Sequence, residues 1–143
     1  MLHNQRGSIY RVILGCFIGV SFVFALVWPQ YVKYRNVHHL KQAVQLAKAL
    51  AFAQQSYYQQ HGAFASEFKL LDVTTDCPLS KTAQGAVLDC PHYTYSLEEK
   101  LVKAAHKQLP VWLEVTLPEG VATCHYQEND WAGQDLCRRL GRI

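Results

Sequence analysis

The side chains best equipped for chemistry are four cysteines, Cys77, Cys90, Cys124 and Cys137, with His92 and His125 close to two of them. Thiolates and imidazoles together bind zinc, but such sites carry a Cys-x-x-Cys knuckle or a histidine pair at helical spacing. Neither occurs, so no metal is expected and disulfides are the expected state. Four cysteines allow three pairings. The local pairs, Cys77 with Cys90 and Cys124 with Cys137, would close similar short loops, each bond contributing about 2–4 kcal/mol to a small domain. Disulfides place that domain in an oxidising compartment. The fifth cysteine, Cys16, lies in an apolar stretch and reads as a small apolar filler.

Other chemistry is sparse. Glu128, Asn129, Asp130 and Asp135 make a small acidic loop, but their spacing does not match an EF-hand, and surface polarity is the simpler reading. No Gly-x-Ser-x-Gly, His-Glu-x-x-His or phosphate loop is present, and a thiol nucleophile would have to come from cysteines better explained as bridges. The chain is therefore not expected to be an enzyme or to need a cofactor. A net charge of +3 is too small to imply nucleic acid. The basic cluster Lys33, Arg35, His38, His39 and Lys41 fits lipid head groups or neighbouring subunits better. Arg138, Arg139 and Arg142 form a weaker cluster, as on a solvated helix end.

The elements that must position these residues begin with an uncharged apolar stretch, Val12 to Trp28, close to the ~17-residue lower limit for crossing a bilayer. Tyr10 and Trp28 stand where interfacial aromatics belong. Gly15 and Gly19 form a Gly-x-x-x-Gly pair of the kind that lets helices approach closely. Arg6 and Arg11 upstream are matched by Lys33, Arg35 and Lys41 downstream, so charge does not fix orientation. A cleaved signal ending near Val23-Phe24-Ala25 is disfavoured, because Leu26, Val27 and Trp28 continue the apolar run.

After Pro29 the pattern turns amphipathic. Val37, Leu40, Val44, Ala47 and Ala51 recur at three- and four-residue intervals, and Gly62 is the expected stop. Pro29 should kink the helix without ending it. A helix from Ser8 to Gln60 would be about 80 Å long, more than one small domain can bury. Beyond it, His92 to Leu97, Val111 to Leu117 and Val121 to Tyr126 read as strands, the last two joined by a Pro118-Glu119-Gly120 turn. Ala86 to Leu88 reads as a short strand, Asp72 to Gln84 as loop, and Trp131 to Leu140 as a short helix capped by Asp130. The expected fold is α+β, a long helix packed on a small antiparallel sheet.

Taken together, these residues resemble a type IV pilin or pseudopilin precursor. The resemblance rests on a short basic leader ending in Gly7, an apolar helix directly after it, Pro29 at the family's distance from the cut, and Gln30-Tyr31 with Tyr34. Ala51 to Tyr58, His61-Gly62-Ala63-Phe64 and Phe68 to Asp72 resemble the pilin helix end, Tyr-rich turn and docking segment, and Cys124 to Cys137 looks like the disulfide-bounded end of many pilins.

That resemblance implies three segments: a leader at 1–7, a transmembrane and assembly helix at 8–29, and a periplasmic globular domain at 30–143. It implies cleavage by a prepilin peptidase between Gly7 and Ser8, and N-methylation of Ser8. It implies assembly through the helix that carries Val12, Gly15, Gly19 and Pro29, with other pilin or pseudopilin subunits, an inner-membrane assembly platform and membrane lipid as partners. Two positions differ from the family. Ser8 stands where phenylalanine or methionine is usual, and Val12 where a glutamate is usual. The second difference implies either a minor or tip subunit or a divergent or decayed pilin, and favours a minor or tip subunit over a major one. The alternative from another class is a monomeric, membrane-anchored or secreted binding module that does not polymerise.

Overall fold

The computed structural model describes residues 5–82 and 85–141, with side chains of the first helix described from residue 9 onward. Helix α1 (Gln5–His61) is followed by a short 3-10 turn (Phe68–Leu70). Six strands come next, β1 (Leu79–Thr82), β2 (Gly85–Asp89), β3 (Tyr93–Glu98), β4 (Leu101–His106), β5 (Val111–Thr116) and β6 (Val121–Tyr126), and then helix α2 (Trp131–Leu140). The fold is α+β. The chain divides into two units, Met1–Asn36 and Val37–Ile143.

In the first unit, every residue from Ile9 to Tyr31 is exposed. The helix is long and apolar enough to cross a membrane, with a mean hydropathy of 2.3 over its most apolar window. An α-helix is suited to that environment because it satisfies its own backbone hydrogen bonds. Pro29 lies inside the helix and does not end it.

In the second unit the remainder of α1 buries Leu40, Ala43, Ala47, Leu50, Ala51 and Gln54. The buried row is shifted from the expected stripe: Ala43 and Leu50 are in the core, whereas Val37 and Val44 are only half-buried at its margin. Three alanines share this row with two leucines, so much of the core's bulk comes from the larger sheet residues that join it. The helix ends at Gly62, whose φ of 72° is left-handed and whose N–H closes on the Tyr58 carbonyl at 2.8 Å.

The sheet is an antiparallel meander in the order β1-β2-β3-β4-β5-β6. Its inner face supplies Leu88, Tyr93, Tyr95, Val102, Ala104, Val111, Leu113 and Val115, which join the buried row of α1 in one core. Register places Val102 opposite Val115 and Ala104 opposite Leu113, so the inward set is consistent from strand to strand. Phe68 and Leu71 close the core at the turn after α1.

Two strands depart from the sequence reading. β1 lies within 72–84, expected as loop; its four residues are all exposed, so no burial pattern marks it. β4, Leu-Val-Lys-Ala-Ala-His, is absent from the sequence reading, and its Ala, Leu and Lys favour helix. Pairing with β3 and β5 on both sides overrides that preference.

Candidate functional site: the apolar helix and the tied domain

The expected cleavage junction falls at the start of α1. Gly7 and Ser8 belong to its backbone, while Met1 to Asn4 of the leader lie outside the described residues. Further along, Val12 is 63% exposed. A Cβ built on Gly15 or Gly19 would meet nothing within 4 Å, so both positions present bare backbone to whatever surrounds the helix. Cys16 is a free, exposed thiol between them. Phe24 and Trp28, one turn apart, stack with ring centroids 6.3 Å apart. Such a surface has two physical solutions, lipid or the apolar side of another protein.

The domain is held by two disulfides. Of the three possible pairings the structure has the local one, Cys77–Cys90 and Cys124–Cys137, with Cα separations of 4.8 and 5.4 Å. The first ties the segment before β1 to the end of β2, and the second ties β6 to α2. Asp130 caps α2 by accepting from Ala132 N at 3.2 Å and Gly133 N at 3.0 Å. That uses the acidic loop structurally, satisfying two of the N–H groups a helix start leaves open. No group of three or more His, Cys, Asp or Glu side chains is arranged to hold a metal ion among the described residues.

Several contacts could not be read from the sequence. His39, grouped there with the basic residues, instead stacks on His92 with centroids 3.6 Å apart and rings inclined by 29°. Gln54 is fully buried and donates from Nε2 to the Ala65 carbonyl at 3.0 Å, fixing the loop after α1. On the outer face of the sheet, Trp112 stacks with His125 at 5.6 Å and lies beneath Lys103 Nζ at 5.4 Å. Glu114 accepts from Trp112 Nε1 at 3.0 Å and sits 3.3 Å from His125 Nε2. Strand register makes these neighbours, and register is not visible before the strands are paired.

Ionisation of the core aromatics is suppressed. Burial pushes the Tyr95 phenol up to about 12, and burial, then the neighbouring Tyr95, raises Tyr93. His106 is lowered, first by burial and then by His92 and His39. Shallow hollows line the helix–sheet margin. One of about 340 Å³ is bordered by His39, Gln42, His92, Tyr93 and the Cys77–Cys90 bridge.

Comparison of the chain with family models, curated proteins and solved structures finds no match. The functional reading rests on the residues and their arrangement.

Proposed function

We propose that the chain is a structural subunit of a type IV pilin-like or pseudopilin filament, minor or tip-located, with no catalysis of its own. One observation carries the reading. A single helix, Gln5–His61, bears a long, exposed and uncharged apolar stretch and then, from Leu40, a row buried in the core of a disulfide-tied α+β domain.

The mechanism is physical. The precursor is held in a bacterial inner membrane by the apolar part of α1, with the disulfide-bearing domain in the periplasm. Prepilin peptidase cuts between Gly7 and Ser8, and Ser8 is methylated. An assembly platform then lifts the subunit, exchanging lipid around the helix for other subunits' helices. In lipid that exchange gains little from hydrophobicity, so close packing must drive it. The bare backbone at Gly15 and Gly19 is what close packing requires.

Mass spectrometry of the mature N-terminus tests the reading. A chain starting at Ser8, N-methylated, is the expected result, and Gly7→Val should leave the leader attached because the larger side chain blocks the cut. An intact Met1 in the wild type would identify a plain membrane anchor. A start near Leu26 would identify a secreted binding domain.

A further inference from the structure

The helix and the sheet of the second unit meet along a row of histidines. His39 on α1 stacks on His92 in the β2–β3 turn at 3.6 Å. In β4, His106 pairs in register with Tyr93 of β3 and meets its ring edge-on at 4.8 Å. The Nδ1 atom of His106 lies 3.0 Å from both Gln108 N and Leu109 N. A backbone N–H can only donate, so Nδ1 must accept both bonds, and the imidazole is neutral with its proton on Nε2. Those two bonds close the β4–β5 turn. Beyond them, the Leu109 carbonyl accepts from Val111 N at 2.8 Å and the Pro110 carbonyl from Gln127 N at 3.1 Å, carrying the turn onward to β6.

We propose that this turn is an acid-sensitive latch: protonation of His106 at Nδ1 removes the acceptor that closes the β4–β5 turn. His38 of α1 stands 6.0 Å from His39. The Asp89 carboxylate at the end of β2 is already engaged by Lys107 Nζ at 2.6 Å, and the core phenols Tyr93 and Tyr95 stay neutral. His106, Leu109 and Pro110 also border a hollow of about 290 Å³ shared with Trp112 and Lys103, so loosening the turn alters an exposed surface. The latch belongs to the domain and stands whether or not the chain assembles into filaments.

The direction follows from linkage. His106 binds its proton less readily folded than unfolded, because burial and then its histidine neighbours lower its pKa. Its stabilising contribution is therefore complete above the unfolded value of about 6.5 and is lost progressively as pH falls from there toward the lower folded value.

The test is backbone amide exchange by NMR on the full chain in detergent micelles, at about pH 7.5 and about pH 5. Protection factors, corrected for the intrinsic pH dependence of exchange, should fall at least about tenfold at Gln108 and Leu109 while those of Val102 and Leu113 hold. His106→Asn offers an amide oxygen to the same two donors and does not titrate, so it should abolish the fall. Unchanged protection at Gln108 and Leu109, an equal fall across all strands, or a fall that persists in His106→Asn would each overturn the latch. A direct titration of the wild-type imidazole serves if the variant does not fold. A midpoint below the ordinary histidine value of about 6.5 is expected, and a midpoint at or above it rejects the proposal.

Discussion

A single missing methyl group decides whether α2 can lie on the sheet. Gly133 is buried, and a Cβ placed on it would stand 2.7 Å from Val111 Cγ2 and 2.9 Å from Tyr126 Cβ, and would also press on the Asp130 carboxylate that caps the helix. Valine and tyrosine backbone-proximal atoms cannot swing away as a flexible chain end can. Gly133→Ala is therefore expected to destabilise the domain by about 1–3 kcal/mol, although alanine is the better helix former. Thermal or denaturant unfolding measures it, and a variant as stable as wild type would show that α2 does not bear on β5 and β6 as described. The sequence marks Gly15 and Gly19, where the same methyl would meet open space, as the close-approach pair and gives no such mark to Gly133. Their difference lies in neighbours brought from distant positions. His39 teaches the same lesson: its charge type was legible, its stacking partner was not.

Among the elements, legibility followed local residue type and turn or cap signals, and burial alone did not decide it: β6 has no buried residue and was legible, while β4 has two and was not. β3, β5 and β6 and the capped α2 stood within a residue of where alternation, aromatic content and the Asp130 cap put them. β5 buries every second residue, Val111, Leu113 and Val115. β1 lacks a buried side, and β4 is built from residues that favour helix, so neither carries a local signal. The pairing of cysteines was one of three options until the strands brought β6 beside α2. That tie yields a prediction. Replacing Cys124 and Cys137 together with serine should cost about 2–4 kcal/mol by releasing a loop of 13-residue separation in the unfolded chain. Amide protection should fall first in α2, a ten-residue helix too short to persist unaided, while β3 and β4 keep theirs. Uniform loss across sheet and helix would mean instead that the bridge supports the core as a whole.

For the whole molecule, the decisive quantity is an apolar helical surface that the chain itself leaves exposed from Val12 to Trp28. On the proposed reading that surface must be acceptable first to lipid and then to other subunits, and Val12 stands where a family glutamate would meet a neighbour's terminal amine. A carboxylate at that depth costs up to about 2.5–3.5 kcal/mol on an insertion scale, so it is tolerated only where a cationic partner offsets it. Valine avoids the cost and forgoes the partner, which suits a subunit with no copy above it to meet. Val12→Glu should therefore raise the share of this chain incorporated along the filament rather than at its end. Val12→Gln, with the same shape and no charge, should not. Quantifying the chain in sheared filaments against the membrane fraction distinguishes the two. If Val12→Glu incorporates no better than wild type, the missing carboxylate is not what restricts this subunit, and the tip assignment falls while the cleavage test at Gly7 still decides membership of the filament.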